Sequence, residues 1–459
     1  MHSRSAAVFW TILLTLCISH GLLAEPLAKE EIDRFVSPLV DADYCVGLVV
    51  GVVDDGGTRV YGYGHKSSKD DTPPDGKTVF EIGSATKAFT GILLADMVRR
   101  GEVAFDDPVQ KYLPEGTNVP QVDGTVITLA HLASHTSGLP RMPTNFAPKD
   151  AGNPYADYSV GRMYAFLAEC EPTRPAGESV EYSNLGMGLL GHALARRAGK
   201  SYEQLVTERI CSPLKMNETR MALTDGMKPR LAAGHDADGN AAANWDIPTF
   251  AGAGALRSTG DDMLKFLAAN LRPDGAGELA EPIRDSQSPR TGADAANDIG
   301  LGWHVRRKPK FVWHNGQTGG YHSMVAFSPE KKVGVVLLAN SATMQVDAHA
   351  LALLRRLMGD KVEPPKVRTP VKVGPEVLEA YVGQYPLSPV FILTVTREGD
   401  RLFCQATGQA KFRIFPASET EFFYRVVEAR IVFERGEDGA VKGLVLHQNG
   451  AKMPGPKRK

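Results

Sequence analysis

A serine and a lysine three positions apart give the chain its clearest chemical signature. Ser84 and Lys87 lie in the segment of residues 80–87 and are separated by Ala85 and Thr86. On a helix, residues three positions apart share a face, so the lysine amine can reach the serine hydroxyl. A serine hydroxyl is a weak nucleophile that needs a partner to take its proton, and a desolvated lysine can be that partner. The pair therefore predicts a serine that becomes acylated.

Two later motifs supply the other groups that such chemistry needs. Tyr182 and Asn184 belong to a Tyr-Ser-Asn motif, and His314 and Gly316 belong to a His-Asn-Gly motif. We expect the phenol of Tyr182 to share the role of base, because a neighbouring ammonium group pushes a phenol towards phenolate. We expect Gly316 to let a strand edge approach a ligand, since glycine has no side chain to obstruct it.

The tetrahedral intermediate of acyl transfer also requires two N–H groups to hold its oxyanion. The backbone N–H of Ser84 is one candidate, and the N–H of Gln317, which follows Gly316, is the other. Loss of one such donor typically costs about 2.7–4 kcal/mol of transition-state stabilisation.

Spacing alone is weak support, because the chain has two further Ser-x-x-Lys segments. Ser212–Lys215 and Ser328–Lys331 both lie in turn-like stretches. The order and context of the three motifs carry more weight. Ser84 lies at a predicted strand-to-helix junction, Tyr182 in a loop before a helix, and His314 at the start of a strand. The alternative for His314 is a strand-end histidine exposed to water.

The elements that position Ser84 are predicted from hydrophobic patterning. Residues 45–53 form a nearly continuous apolar run, and residues 54–57 are a turn signal, so we expect a buried strand and a hairpin into residues 58–63. From Thr86 the apolar residues follow helical spacing, and Gly101 is the expected C-terminal cap. Ser84 would then stand at a helix start, where backbone N–H groups are free.

Short helices and strands are expected between this helix and residue 358. Residues 127–135 and 185–198 read as helices, residues 252–255 as a tight loop, and residues 258–262 as a helix start with a serine or threonine cap. Further along the chain, we expect one strand over residues 313–327, a turn at residues 329–331, a strand over residues 332–340 and a closing amphipathic helix over residues 345–358.

The composition of the sequence changes after this helix. Residues 359–373 contain four prolines and many charges, which is typical of a linker. Beyond it, short strand candidates alternate with turn signals, which predicts an antiparallel sheet or small barrel; they are residues 391–397, 401–406, 412–415, 422–427, 429–434 and 443–447. The predicted segments are thus 1–24, 25–358, 359–373 and 374–459.

Composition excludes some classes of function. The formal net charge of −1 does not favour nucleic acid or an anionic membrane as partner, and 459 residues exceed the roughly 250–300 at which a single core stops growing. Residues 1–24 have a weakly basic start, an apolar stretch and a small residue before Glu25, which is typical of a cleaved signal peptide. We therefore expect a periplasmic or secreted protein without a membrane span after cleavage; an uncleaved anchor is the alternative.

Cysteine usage does not indicate a metal site. Cys45, Cys170, Cys211 and Cys404 remain after cleavage, and none forms a Cys-x-x-Cys pair. A disulfide is an alternative in an oxidising compartment, but small buried hydrophobic residues are the favoured interpretation. We expect no metal and no cofactor. The partner is a small-molecule or peptide substrate, and the oligomeric state is left open.

With these motifs, the sequence resembles the class C β-lactamase and penicillin-binding serine hydrolase family, with its peptidase and esterase relatives. The resemblance covers about residues 30–358 and includes residues 129–140, 213–216, 254–263 and 300–303. The C-terminal segment, with its Tyr-Val-Gly-Gln-Tyr stretch at residues 381–385, is similar to a lipocalin-like domain that follows some of these hydrolases.

The resemblance implies an α+β fold of the β-lactamase/transpeptidase type. A central antiparallel sheet would be flanked by helices, an all-helical part would adjoin it, and a small all-β barrel-like domain would follow. It also implies roles: Ser84 as the acylated nucleophile, Lys87 as its proton partner and Tyr182 as the base for acylation and deacylation. Asn184 would hold the substrate's amide oxygen, and the strand from His314 would align the acyl group.

One departure from the family's pattern bears on the substrate. The third element is usually Lys-Thr-Gly, whose lysine attracts a carboxylate, whereas this chain has His314, which is mostly neutral at pH 7 with an ordinary pKa. Expected substrates are β-lactams or peptides with D-alanine. The first alternative is a carboxylesterase on the same site, and the second is a penicillin-binding sensor that does not turn over.

Overall fold

The computed structural model describes residues 26–458, except residues 68, 410, 426, 428 and 449. The predicted signal segment, residues 1–24, lies outside the described residues. The helices are α1 (Lys29–Asp41), α2 (Thr86–Arg99), α3 (Leu129–Ala133), α4 (Val160–Glu169), α5 (Asn184–Ala198), α6 (Tyr202–Val206), α7 (Ala251–Gly254), α8 (Gly260–Leu271), α9 (Ala280–Gln287), α10 (Gln345–Leu357) and α11 (Pro375–Ala380).

The strands form two large antiparallel sheets and one small pair. They are β1 (Gly47–Asp54), β2 (Gly57–Gly64), β3 (Val79–Glu81), β4 (Arg257–Thr259), β5 (Thr291–Gly292), β6 (Asn297–Ile299), β7 (His304–Arg306), β8 (Phe311–Gln317), β9 (His322–Ser328), β10 (Val333–Ala339), β11 (Gly383–Pro386), β12 (Ile392–Glu398), β13 (Arg401–Ala406), β14 (Lys411–Pro416), β15 (Glu421–Tyr424), β16 (Ala429–Arg435), β17 (Val441–Gln448) and β18 (Ala451–Pro456).

The first sheet contains strands from both the beginning and the end of residues 47–339. Its strand order is β2-β1-β10-β9-β8-β7-β6-β5, so β10 from late in the chain pairs with β1 from its start. The turn between β1 and β2 contains two residues, Asp55 and Gly56, as the hairpin prediction requires. The predicted strand at residues 45–53 and its hairpin are therefore confirmed.

Both faces of this sheet are covered, which explains why its central strand β10 is apolar at every position. In β10 every residue is buried; Val335 and Leu337 belong to the core shared with α1 and α10, and Val336 and Leu338 to the core shared with α2 and α8. Side chains of a strand alternate between faces, so a strand buried on both faces reads as a continuous apolar run.

Helix α2 follows the predicted pattern. It begins at Thr86 and its capping region ends at Gly101, whose φ of +69° is the left-handed conformation that favours glycine. Its predicted apolar residues are buried, as Phe89, Ile92 and Leu93 show. The start of α8 was also predicted correctly, because the Thr259 hydroxyl accepts a hydrogen bond from the Asp262 N–H at 3.2 Å.

Two local predictions are wrong. The single strand expected over residues 313–327 is the hairpin β8–β9, whose turn at residues 318–321 contains Gly319 and Gly320. The apolar run continues through this turn because Tyr321 is fully buried, so periodicity alone did not reveal the break. The loop expected over residues 252–255 is the single-turn helix α7, which packs against α2 and α5.

The C-terminal strands form an eight-stranded meander from β11 to β18, here called the C-terminal barrel. Its two edges approach each other, since the Arg458 N–H donates a hydrogen bond to the Gln384 carbonyl at 2.8 Å. Its core contains the aromatic rings of Tyr381, Phe422 and Phe433. The six predicted strands are present, whereas β11, β18 and the short helix α11 were not predicted.

The predicted fold class is confirmed. The chain has an antiparallel sheet flanked by helices, an adjoining helical part and a nearly closed all-β barrel after it. Cys45, Cys170, Cys211 and Cys404 are all free, so the disulfide alternative is wrong. Within residues 26–458, leaving aside the gaps given above, the structure contains no helix that combines the length and apolarity needed to cross a membrane.

Candidate active site

Ser84 lies on a tight turn between β3 and α2. Residues Gly83–Ala85 form one turn of 3-10 helix, and Gly83 has a φ of +49°, which a larger residue adopts only with strain. A Cβ atom on Gly83 would lie 2.8 Å from the Gln317 nitrogen. Glycine at this position therefore lets the Ser84 turn pack directly against the end of β8.

The Lys87 side chain is fully buried beside this turn. Its Nζ atom lies 2.9 Å from Ser84 Oγ and donates a hydrogen bond to the Ala253 carbonyl at 2.6 Å. Burial lowers the pKa of Lys87 well below its usual 10.5, and the Arg141 guanidinium lowers it further. Because the ammonium is disfavoured, the neutral amine is available to accept the serine proton.

Tyr182 lies over Lys87, with 4.8 Å between its ring centroid and Lys87 Nζ. Burial raises the pKa of Tyr182 to about 12, which contact with the Ser84 hydroxyl and the charge of Arg141 offset only in part. The expectation that Lys87 pushes this phenol towards phenolate is therefore wrong. The reason is that both groups are buried: burial keeps the phenol protonated and also weakens the lysine charge that would have ionised it.

Three histidine rings surround Tyr182. Their centroids lie 4.5 Å (His135), 6.5 Å (His304) and 6.2 Å (His314) from the Tyr182 ring. Burial lowers the pKa of all three, to about 4 for His304 and well below 6.5 for the other two. Tyr182 therefore has neutral imidazoles beside it at neutral pH.

Asn184 begins α5 directly after the Ser183 N-cap. Its Oδ1 atom is buried without a hydrogen-bond partner among the described residues, and its Nδ2 atom lies 3.8 Å from the Met142 sulfur, a weak acceptor. The Asn184 amide therefore retains hydrogen-bonding capacity that a substrate amide could use.

We expected His314 at the start of its strand. It lies instead in the middle of β8 and is 1% exposed. The alternative of a water-exposed strand-end histidine is wrong. Its Nδ1 atom lies 2.5 Å from the Asn315 carbonyl, while its buried Nε2 atom has no hydrogen-bond partner among the described residues. The ring contacts Tyr182 from the side of the sheet.

Gly316 is the point at which β8 meets the Ser84 turn. A Cβ atom there would overlap the Ile82 carbonyl oxygen and lie 2.8 Å from the Ser84 nitrogen. The Ser323 hydroxyl, on the paired strand β9, donates a hydrogen bond to the same carbonyl at 2.7 Å. Gly316 thus allows β8 to approach the turn that carries Ser84. The expectation that it also lets the strand edge approach a ligand stays a prediction.

The N–H of Gln317 points towards this turn. The Thr318 N–H donates to the Tyr321 carbonyl at 3.0 Å, which makes those two residues a hydrogen-bonded pair of the β8–β9 hairpin. In an antiparallel ladder the next pair, Gln317 and His322, directs its backbone groups outward. The N–H of Gln317 is therefore not paired with β9, and its role as an oxyanion donor together with the N–H of Ser84 stays a prediction.

These groups border a cleft; its lining residues are Gly83, Ser84, Tyr155, Asn184, Ile247, Phe250, Ala253, Gly254 and Gln317. Sequence reasoning missed Arg141, whose guanidinium lies 5.0 Å from the Tyr182 ring centroid. It also gave no role to His135, although the segment of residues 129–140 was noted. Among the described residues, no group of three or more His, Cys, Asp or Glu side chains is arranged to hold a metal ion.

Comparison with known proteins is consistent with this architecture. The sequence profile of the family described as Beta-lactamase matches residues 32–359, and that of a domain of unknown function matches residues 367–455. The chain is 30% identical to a Beta-lactamase of Escherichia coli K12 over 372 residues, which cover 72% of this chain and 95% of that protein.

Two further relatives have peptidase or penicillin-binding names. A D-alanyl-D-alanine-carboxypeptidase/endopeptidase AmpH of Escherichia coli K12 is 28% identical, with 74% of this chain and 92% of the relative covered. Penicillin-binding protein 4* of Bacillus subtilis 168 is 26% identical, with 86% and 92% covered. Fold and sequence together define a serine hydrolase. The chain belongs to the Beta-lactamase family.

The C-terminal match carries no functional description, so the lipocalin-like resemblance of that segment stays a prediction.

Proposed function

We propose that the protein is an exported serine hydrolase that forms an acyl-enzyme on Ser84 with β-lactams or with peptides that contain D-alanine. The observation that carries this proposal is the 2.9 Å contact between Ser84 Oγ and the buried amine of Lys87. The names of the β-lactamase and carboxypeptidase relatives support the substrate class, and the pattern of residues 1–24 supports export.

In the proposed mechanism Lys87 takes the proton of Ser84 as Oγ attacks the carbonyl carbon. The N–H groups of Ser84 and Gln317 hold the oxyanion, and Asn184 holds the substrate amide. Tyr182, protonated at neutral pH, donates its proton to the leaving group and regains one from Lys87. In deacylation the same relay runs in reverse, so that water loses a proton and Ser84 regains one.

An intact-mass time course with benzylpenicillin tests this proposal. We expect a penicilloyl adduct on the wild type and none on Ser84→Ala, with turnover reduced by about 10³-fold or more in that variant. Rapid decay of the adduct would indicate a lactamase, and slow decay a penicillin-binding peptidase. Full activity in Ser84→Ala would refute the assignment of the nucleophile.

A carboxylesterase on the same site is the second candidate. The observation that favours it is that His314 is buried and its pKa is lowered, so it supplies no charge to attract a carboxylate in the way that the family's lysine does. Fast turnover of 4-nitrophenyl esters, with no adduct and no consumption of penicillin, would select this candidate.

A further inference from the structure

Arg141 occupies a fixed position at the edge of the cleft. Its main-chain carbonyl accepts hydrogen bonds from the N–H groups of Asn184 at 3.0 Å and Leu185 at 3.3 Å, which ties its loop to the start of α5. Its guanidinium carbon lies 5.0 Å from the ring centroid of Tyr182, and its side chain is exposed. A permanent positive charge is thus presented to solvent beside the proposed catalytic groups.

Among the residues that the structure describes, no carboxylate pairs with this arginine. Within the described part of the chain no ion pair or side-chain hydrogen bond joins Arg141 to an acid, whereas nearby arginines are paired, as in Arg174–Glu181 and Arg162–Asp157. Besides burial, which is the larger cause, the charge of Arg141 acts to lower the pKa of both Lys87 and Tyr182, and no carboxylate among the described residues is a cause of either shift. The positive charge of Arg141 at the edge of the cleft is therefore available to an anionic ligand.

The His-Asn-Gly motif at residues 314–316 does not provide a positive charge to the cleft. His314 is 1% exposed and lies behind Tyr182, so it offers no cation to a substrate in the cleft. An arginine at the rim can instead bind a carboxylate through two parallel N–H donors, and it stays charged over the whole working range of pH.

We propose that Arg141 binds a carboxylate of the substrate and thereby makes anionic acyl compounds the preferred substrates of this site. This inference rests on the proposed function, since it assumes that the cleft at Ser84 is where acyl substrates react. It extends that function by assigning the recognition of the anion to a residue outside the three motifs.

Two substrates, one with a free carboxylate and one in which that carboxylate is methylated and uncharged, test the inference. 4-Nitrophenyl hydrogen glutarate carries a free carboxylate, and its methyl ester does not. With rates measured on the plateau of the pH profile, we expect the wild type to prefer the acid, and Arg141→Gln to lose about ten- to a hundredfold in kcat/KM for the acid with less than a twofold change for the ester. Arg141→Lys should fall between them, because it keeps the charge but loses the planar fork.

Equal effects of Arg141→Gln on the two compounds, or no effect on either, would overturn the proposal. Arg272→Gln is the matched control, since Arg272 is an exposed arginine at the end of α8, outside the cleft, and should leave both rates unchanged. A preference that disappears equally in this control would also count against Arg141.

Two readouts separate this proposal from the assignment of Ser84. Binding of the acid to Ser84→Ala, measured by calorimetry, should weaken about ten- to a hundredfold when Arg141→Gln is added, even if the wild type proves not to form an acyl-enzyme. If Ser84→Ala retains hydrolysis, the nucleophile is wrong, but the ratio of acid to ester rates still tests Arg141. No difference between acid and ester in either assay contradicts the proposal.

The pH profile gives a further readout that a purely structural role would not change. Arg141 lowers the pKa of Lys87, although burial is the larger cause. Removal of the guanidinium should therefore raise the pKa of Lys87 and shift the acidic limb of kcat/KM for the methyl ester to higher pH. An unshifted limb would show that the charge of Arg141 does not reach the site.

Discussion

In the proposed mechanism, Lys87 and Tyr182 have different roles in proton transfer. The reason is that burial lowers the pKa of the lysine and raises that of the tyrosine. The lysine loses its charge more readily and becomes a base, whereas the phenol keeps its proton and becomes a donor. The Ala253 carbonyl, which is not a carboxylate, accepts the other hydrogen bond of Lys87 Nζ at 2.6 Å.

A pH profile tests this division. Lys87 is active as the neutral amine, so kcat/KM should rise as pH increases through its lowered pKa and then reach a plateau. Tyr182, with a pKa of about 12, should cause no loss of activity up to about pH 10. Rates measured with a neutral ester avoid titration of the substrate. A profile that falls between pH 8 and pH 10 would contradict the assignment of Tyr182 as the donor.

Among the elements, the β8–β9 hairpin positions one of the two proposed oxyanion donors, and it is fixed from the face of the sheet opposite Ser84. His322 is fully buried, with its Nε2 atom 2.7 Å from Asp347 Oδ1 and its Nδ1 atom 3.0 Å from Gln317 Oε1. Asn315 Nδ2 donates to Asp347 Oδ2 at 2.7 Å. Asp347, at the start of α10, thus holds both strands of the hairpin.

Removal of this carboxylate should affect the chemical step more than substrate binding. We expect Asp347→Ala to lower kcat roughly tenfold with little change in KM, because a slight displacement of the Gln317 N–H weakens stabilisation of the oxyanion. Asp347→Asn should be milder, since it keeps one acceptor. The measurements are steady-state kinetics and hydrogen exchange of residues 311–323.

The control for this prediction lies just beyond the other end of the same helix. Asp360 pairs with Arg355 at 2.8 Å on the surface, so Asp360→Ala also removes a paired carboxylate but should leave kcat unchanged. If Asp347→Ala matched this control in both kinetics and exchange, the hairpin would not depend on the network.

On the scale of the whole molecule, three arginines join the C-terminal barrel to the rest of the chain. Arg425 donates to the carbonyls of Ala42 and Asp43 at 2.7 and 2.6 Å, Arg401 contacts Asn240 Oδ1 at 2.8 Å, and Arg413 donates to the Asp238 carbonyl at 3.2 Å. Arg425 also stacks between aromatic rings, 4.1 Å from Tyr44 and 4.0 Å from Phe415.

Loss of Arg425 should loosen this junction without altering the site. Arg425→Ala leaves two carbonyls without their donors and removes two cation–π contacts, so we expect the free energy of unfolding to fall by about 2 kcal/mol. Calorimetry should then show a separate, lower-temperature transition, with ester kinetics unchanged. Arg397→Ala, which removes a pair with Glu379 inside the barrel segment, is the control. A single unshifted transition would refute this role of Arg425.

The contact region of the barrel leads towards the cleft along one segment. Residues 236–240 contact Arg401 and Arg413. A few residues later, the Trp245 N–H donates at 2.9 Å to the buried carboxylate of Glu81, which lies three residues before Ser84 in the chain.

Whether the barrel covers the site, recognises substrate or mediates assembly can be tested by deletion from about Lys366. The domain boundaries at residues 358 and 374 stay a prediction that limited proteolysis can test.

The sequence by itself determined the features that depend on short separations along the chain. Ser84 lies on the 3-10 turn that leads directly into α2, and Lys87 lies in the first turn of α2, so their spacing is enough to place the amine beside the hydroxyl. The β1–β2 hairpin and the Thr259 cap follow from local turn and capping chemistry. Six of the eight strands of the barrel were predicted for the same reason, since each is a short segment flanked by turn signals.

Only the tertiary structure decided which groups are charged and which distant groups meet. Tyr182 and His314 are separated by 132 residues, yet their rings lie 6.2 Å apart, and Arg141 reaches Tyr182 from a loop that no motif marks. Protonation depends on burial and on neighbouring charge, which spacing does not reveal, so the phenolate expectation failed and the charge of Arg141 went unnoticed. The long-range packing that desolvates Lys87 is therefore what turns the motifs into a candidate active site.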